Sequence, residues 1–172
     1  MTHTVSVLVE NKPGALARVS NMFARRGFNI ESLAVGPTER HDVSRITLTV
    51  RCPAAQLEQI EKQMHKLVNV LRVSELRPGQ AVERELALIT VSAPPSQRAE
   101  LLSLAEVFGV RALDVGPGEI LFEVVGTSEE VERFEELVRP YGIKELARTG
   151  RIGLARASVA RAGRNGNHAV NA

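Results

Sequence analysis

Apolar residues in the first part of the chain change from one period to another. Valines at every second position, 5, 7 and 9, predict a strand with one buried face. Residues 10–14 interrupt this pattern, and the apolar positions that follow have the spacing of one helical stripe: Leu16, Val19 and Phe23. Gly27 ends the helix, and a second strand is expected from Ile30 to about Val35. The chain therefore begins with a strand, a tight loop, a helix and another strand.

Three more elements complete this first unit. A third strand is predicted to bury one face, formed by Ile46, Leu48 and Val50. We expect its other face to be wet, with Arg45, Thr47 and Thr49. Helical spacing resumes after Pro53, with Leu57, Ile60, Met64 and Leu67. A fourth strand is predicted over residues 70–76, so the order is βαββαβ, which is typical of a four-stranded antiparallel sheet with two helices on one face.

The same order of elements recurs after a break at Arg77-Pro78-Gly79-Gln80. Strands are predicted at about 83–92, 110–115, 120–124 and 143–149, with two helices between them. The first of these helices carries Leu101, Leu104, Ala105 and Phe108, and the second carries Val131, Phe134 and Val138. Thr127 and Glu130 have the spacing of a capping box at the start of the second helix. The expected fold class is α+β, with two tandem ferredoxin-like βαββαβ units.

Three segments are expected from these patterns and from the charge distribution. The first unit should span residues 1–77 and the second residues 78–156. Residues 157–172 are expected to be a disordered basic tail, because no acidic residue follows Glu145 and because alanine, glycine and asparagine dominate the end. A nucleic-acid-binding arm is the alternative for this tail, although it has neither aromatic residues nor a dense basic block.

Composition indicates a soluble globular protein, and the lack of catalytic motifs agrees with one that binds and regulates. Of the 172 residues, 44% are hydrophobic and 24% are charged, and the net charge is only +2. The single cysteine, Cys52, excludes an internal disulfide. The sequence shows neither an apolar run long enough to span a membrane nor a charged leader, so we expect a cytoplasmic protein. The four histidines lack metal-ligand spacing, and no nucleophile elbow or dinucleotide fingerprint occurs, so neither a metal nor a catalytic residue is predicted.

The loop after the first strand is the candidate binding site. Gly14 allows the backbone to approach a ligand closely, and the helix that follows offers unpaired N–H groups at the positive end of its dipole. The loop lacks the glycine-rich run of a nucleotide site, so a carboxylate suits it better than a phosphate. Asn11 and Asn29, which we expect at the same edge of the sheet, would then frame a free amino acid. Alternatively, Pro13-Gly14 is only a turn and both asparagines are caps.

Three segments of the first unit carry a family resemblance: ENKPGALARVSNMFARRGFNIESLAVGPTE, SRITLTV and EQIEKQMHKLVNVLRVSEL. They resemble an ACT domain, a small module that binds amino acids, and more narrowly the regulatory (small) subunit of acetolactate synthase, also called acetohydroxyacid synthase. The resemblance is loose between residues 86 and 145 and returns at ARTGRIGLAR, residues 147–156. It implies an N-terminal ACT domain followed by an ACT-like domain.

The resemblance also implies a function and a set of partners. Such a chain is not an enzyme. It activates a larger catalytic chain that uses thiamine diphosphate, magnesium and FAD, and it makes that chain sensitive to feedback inhibition by valine in branched-chain amino-acid biosynthesis, the route to valine and isoleucine. ACT domains pair edge to edge in a homodimer, and no cofactor, membrane or nucleic acid is expected. The family's valine-binding positions fall on these residues: Asn11, Gly14, Ala15, Leu16, Asn29 and Ile30.

Two other functions are kept as alternatives. One is a stand-alone amino-acid sensor that controls a transcription factor or binds nucleic acid through the basic tail. The other is an enzyme in its own right, for which the sequence offers no cofactor site.

Overall fold

The computed structural model describes residues 1–159 of the chain and divides it into two compact units. One unit contains Met1–Glu83 together with the described residues from Arg151 onward, and the other contains Arg84–Gly150. The segment from residue 151 is therefore grouped with the first unit, whereas the sequence led us to expect it in the second. Of the tail expected from residue 157, only residues 157–159 are described, and they are helical; the rest lies outside the described residues.

The first unit has the expected βαββαβ order. Its elements are β1 (Thr2–Glu10), α1 (Ala15–Arg25), β2 (Ile30–Pro37), β3 (Val43–Arg51), α2 (Ala54–Met64) and β4 (Val70–Leu76). The strands form one antiparallel sheet in the order β2-β3-β1-β4, so β2 and β4 are its two edges. Strand β2 continues two residues beyond its predicted end, into Pro37, because its pairing with β3 extends to Ser44. This arrangement confirms the predicted ferredoxin-like fold.

The core of the first unit lies between the sheet and the two helices. The valines of β1 and the apolar side chains of β3 are almost completely buried in this core, as expected. The buried face of α1 consists of Ala15, Val19, Met22 and Phe23. Leu16 does not belong to this face, since 39% of its surface is exposed, and so the predicted stripe was wrong at that position. The small Ala15 takes the inner position in the first turn, which turns Leu16 outward.

The opposite face of the sheet is covered, which contradicts the expectation that it is wet. Thr47 is 2% exposed and Thr49 is 3% exposed. Thr49 shares a hydrogen bond of 2.7 Å with Ser32 of β2, and Arg45 donates to Ser6 of β1 at 2.7 Å. Part of the cover is β9 (Ile152–Ala155), a short strand that lies against β3 and β4. Hydroxyl groups can be buried here because several of them bond to one another or to Arg45.

The second unit repeats the same order of elements. They are β5 (Ala81–Ser92), α3 (Pro95–Val107), β6 (Arg111–Val115), β7 (Glu119–Gly126), α4 (Ser128–Val138), a short 3-10 helix (Arg139–Tyr141) and β8 (Ile143–Arg148). The sheet order is β6-β7-β5-β8. Its core contains the apolar residues predicted for β7 and α4, with Leu101 and Ala105 of α3. Phe108, predicted on the α3 stripe, is the residue after the helix and is 39% exposed.

Helix α4 begins with the predicted capping box. The amide of Glu130 donates to the Thr127 hydroxyl at 3.2 Å, and the Thr127 amide donates to the Glu130 carboxylate at 2.6 Å. The pKa of the Glu130 carboxyl lies below its usual range, mainly because of the bond from the Thr127 backbone amide and next because of the Thr127 side chain. Two amides that have no partner within the helix are thereby satisfied.

Arg148 and Gly153, in the ARTGRIGLAR segment, make contacts that restrict which side chains fit at their positions. Arg148 donates to the buried carboxylate of Glu85 at 2.9 and 3.0 Å, a two-bond pair that raises the pKa of the guanidinium. Gly153 lies so close to its neighbours that a Cβ atom would be 2.7 Å from Leu76 Cδ1 and 3.2 Å from the Val82 carbonyl oxygen. The segment therefore contributes a paired guanidinium to the second unit and, at Gly153, a position without a side chain where its strand packs closely in the first unit.

We predict that Arg148→Met destabilises the second unit by about 3 kcal/mol, because the buried Glu85 carboxylate then loses the two hydrogen bonds and the positive charge of Arg148. Chemical denaturation measures this change. The matched control is the double variant Glu85→Leu with Arg148→Met, which removes both charges and should recover most of the lost stability. Equal losses for the single and the double variant would contradict the prediction.

Candidate functional site

The loop between β1 and α1 leaves the start of the helix open. Gly14, the residue before α1, has a φ of +83°, no side chain caps the helix and no acidic residue lies in its first turn. The Ala15 amide donates to the Lys12 carbonyl at 3.2 Å. The amides of Gly14 and Leu16 have no backbone acceptor among the described residues. Two of the three predicted donors are thus available to an anion, and the third, that of Ala15, is already used.

Asn11 is held at one side of this loop by the turn between β2 and β3. Its backbone amide donates to the Asp42 carbonyl at 2.8 Å, and its side-chain Nδ2 donates to the His41 carbonyl at 3.2 Å. With the NH2 group engaged in this way, the Oδ1 atom remains as an acceptor. Asn11 is therefore suited to bind a hydrogen-bond donor such as an ammonium group.

Glu10 and Asn69 hold the other side of the loop. The Glu10 amide donates to the Asn69 carbonyl at 2.8 Å, and Asn69 Nδ2 donates to the Glu10 carboxylate at 2.8 Å. Arg18 of α1 donates to Asn69 Oδ1. Asn69, with Lys12 as a second cause, lowers the pKa of the Glu10 carboxyl. The residue before Asn11 is thus linked to the second turn of α1 through one buried amide.

Asn29 and Ile30, the other two predicted site residues, lie at the opposite end of the sheet from Asn11. Glu10 pairs with Val43 at the start of β3, whereas Ile30 pairs with Val50 near its end. Seven residue steps along β3 separate these positions, about 24 Å in an extended strand. The expectation that Asn29 and Asn11 share one edge of the sheet within a single chain was therefore wrong. The reason is that β1 and β2 both pair antiparallel to β3 and therefore run in the same direction. The end of β1 is thus at the same end of the sheet as the end of β2, and far from the beginning of β2.

Strand β2 has one side without a partner in the described residues. It is the edge of its sheet, it is eight residues long, and Val35 near its end is 48% exposed. A long exposed edge strand offers unpaired backbone groups to another chain. The two separated groups of site residues, at residues 11–16 and 29–30, belong to opposite ends of the unit that carries this edge.

Sequence reasoning missed Asn69 and Arg18. Asn69 occurs in Leu67-Val68-Asn69-Val70-Leu71, and a polar residue that is buried within an apolar run is a signal that its side chain is hydrogen-bonded. Arg18 carried no signal, because a basic residue on the outer face of a helix is ordinary. Within residues 1–159, no group of three or more histidine, cysteine, aspartate or glutamate side chains could hold a metal ion. None of the helices in that range combines the length and apolar character that a membrane span needs.

Comparison with known proteins matches both units to one family. Residues 5–72 match the AHAS small subunit-like ACT domain, and residues 84–157 match the small subunit of acetolactate synthase. A probable acetolactate synthase small subunit from Archaeoglobus fulgidus is 51% identical over 91% of this chain and 98% of that protein. The acetolactate synthase small subunit of Mycolicibacterium smegmatis is 46% identical over 90% of this chain and 91% of its own.

A solved structure has the same fold. The crystal structure of an acetolactate synthase small subunit from Thermotoga maritima superimposes with a TM-score of 0.84 at 40% identity, covering 91% of this chain and 98% of that one. The agreement extends over both units.

We predict that Gly14→Ala lowers the free energy of unfolding by about 1 kcal/mol, because alanine is strained at a positive φ. No atom lies within 4 Å of the added Cβ, so the cost comes from the backbone conformation alone. Gly36 is the matched control, since its φ is not positive and a Cβ there also meets no atom within 4 Å. Denaturant titration should show a change within about 0.5 kcal/mol for Gly36→Ala, and equal effects of the two substitutions would contradict the prediction.

Proposed function

The chain belongs to the family of acetolactate synthase small subunits, and from this premise we propose that it activates a separate catalytic chain and subjects it to feedback inhibition by valine. The proposal treats the chain as non-catalytic and cytoplasmic. Thiamine diphosphate, magnesium and FAD belong to the catalytic partner in this proposal, and the chain itself holds none of them. The observation that carries the proposal is the uncapped start of α1, with available amides at Gly14 and Leu16.

Valine is charged at one end and apolar at the other, and the loop suits its charged end. The amides of Gly14 and Leu16 donate to the carboxylate, where the positive end of the α1 dipole also favours an anion. Asn11 accepts from the ammonium group through Oδ1, since its Nδ2 is engaged with His41. The amide of Ala15 already bonds to Lys12, so Ala15 belongs to the site only as the residue between Gly14 and Leu16. Leu16, turned outward, is available to contact the isopropyl group.

A second copy of the chain supplies the remaining residues in this proposal. If the free edges of two β2 strands pair antiparallel, the start of one strand lies opposite the end of the other. The end of β2, at Pro37, pairs with Ser44, next to the Val43 that pairs with Glu10. The partner subunit's Asn29 and the partner subunit's Ile30 are then brought toward the loop at residues 11–16. A homodimer through the ACT domains thus joins the two groups of residues that one chain keeps apart.

An effector bound between two copies can change how they are arranged. Valine inhibits if it binds the inhibitory arrangement of the dimer more tightly than the activating one, and coupling free energies of this kind are about 1–3 kcal/mol. The first test is calorimetric titration of the purified chain with valine, leucine and isoleucine, followed by an activity assay with the catalytic chain. Absence of both binding and activation would overturn the proposal.

We predict that Asn29→Asp gives a subunit that still activates but no longer responds to valine, because a second carboxylate repels that of the ligand. Gly14→Asp should have the same effect by placing a charged side chain in the loop. The measurement is catalytic activity as a function of valine concentration, and the expected loss of valine affinity is about tenfold or more.

The control for this prediction is Gln56→Glu, which makes the same change from amide to carboxylate at an exposed position of α2. This variant should keep normal inhibition by valine. An Asn29→Asp variant that binds valine with normal affinity would remove Asn29 from the site, whether or not activation persists.

A further inference from the structure

The outer faces of α1 and α2 enclose an open groove with a volume of about 540 Å³. Four basic side chains line it, three from α1 and the turn after it and one from the residues after α2: Arg18, Arg25, Arg26 and Lys66. The amide side chains of Asn21 and Gln63 also line it, and Met22 and Leu67 contribute apolar surface. No carboxylate is among the lining residues. The groove is therefore a cationic surface that also offers neutral hydrogen-bonding groups.

These positive charges are unmatched, in contrast to other arginines of the chain. Arg40, Arg51, Arg111 and Arg139 each have a carboxylate oxygen within 3.2 Å. Within residues 1–159, no ion pair or side-chain hydrogen bond is formed by Arg25, Arg26 or Lys66. The end of the α1 dipole favours a basic residue such as Arg25. It does not account for Lys66, which comes from the other side of the groove.

The spacing of the charges suits an extended partner better than a single small anion. Arg18 and Arg25 are seven residues apart on one stripe of α1, about 10 Å along the helix axis. One phosphate group can contact both guanidinium groups only if the two side chains bend toward each other. In an extended peptide, side chains on the same side recur about every 7 Å, so two or three carboxylates can lie along the groove.

One wall of the groove is linked to the proposed valine site. Arg18 donates to Asn69 Oδ1, and Asn69 bonds to the backbone and the carboxylate of Glu10, the residue before Asn11. A carboxylate that draws Arg18 into the groove would compete with Asn69 for that guanidinium. The position of the loop and the occupation of the groove are therefore coupled through a single buried amide.

We propose that this groove is the surface that receives an acidic segment of the catalytic chain. The inference rests on the proposed function, because it assumes that this subunit docks on a larger partner. Docking at this place makes the partner sensitive to the effector loop through the contact of Arg18 with Asn69. It also predicts that association of the two chains weakens as salt concentration rises.

The test uses the full chain with reversed charges, Arg25→Glu with Arg26→Glu, titrated into the catalytic chain. The concentration that gives half of the maximal activation should rise about tenfold or more at low salt, and the difference from the unmodified chain should shrink at high salt. Valine affinity, measured by calorimetry, should stay unchanged, which also shows that the variant is folded.

The matched control reverses two basic residues outside the groove, Arg72→Glu and Arg133→Glu, and should shift the half-saturation concentration less than twofold. An unmodified chain that activates, together with a groove variant that activates at the same concentration, would overturn this inference alone. Binding of pyrophosphate to the groove without any change in half-saturation would also overturn it, because the groove would then be a site for a free anion. An unmodified chain that neither activates nor binds valine would overturn the proposed function as well.

Discussion

The antiparallel pairing of β3 with both of its neighbours is the constraint on which the first unit depends. Because β1 and β2 run in the same direction on either side of β3, α1 must run back along the length of the strands to connect the end of β1 with the start of β2. Its start is then beside the turn between β2 and β3, where Asn11 bonds to His41 and Asp42. Its end delivers Asn29 to the opposite side of the sheet. If the proposed amino-acid site takes residues from both ends of the sheet, a second copy has to bring them together, because this connectivity keeps them apart within one chain.

Most of the fold could be predicted from the sequence because periodicity and turn residues agree. The alternation of β1, β3 and β7 reproduces their buried faces, and Thr127 with Glu130 marks the start of α4 to the residue. The wrong expectation for the second face of β3 has its cause in contact between residues distant in sequence, whereas the exposure of Leu16 has a local cause, the burial of Ala15 beside it. Thr47 and Thr49 look like a solvent-facing row, yet they are buried, and one element that lies against their strand, β9, comes a hundred residues later. The pattern of neighbouring residues cannot reveal burial by a strand so distant in sequence.

The candidate site, too, could be predicted from the sequence only in part. Gly14 could be identified because a glycine before a helix is a local signal, and its positive φ agrees with that interpretation. The arrangement of Asn11 and Asn29 depends on the directions of β1 and β2 along β3, since the two strands run the same way and α1 returns the chain to the other end of the sheet. Asn69 illustrates a third case, since its role comes from two partners in two different elements, Glu10 of β1 and Arg18 of α1. Its place in an apolar run indicates a hydrogen-bonded side chain, but only the structure identifies these partners.

The grouping of β9 with the first unit has a consequence for the order in which the protein matures. During synthesis on the ribosome, residues 1–76 can form their sheet and helices long before residue 152 emerges. Until then the threonine-rich face of that sheet lacks one of the strands that cover it, and Leu76 has not met Gly153. The first unit is therefore completed by a strand that is translated only after the whole second unit, so a nascent chain interrupted between the two events carries an exposed sheet face that chaperones or proteases can recognise.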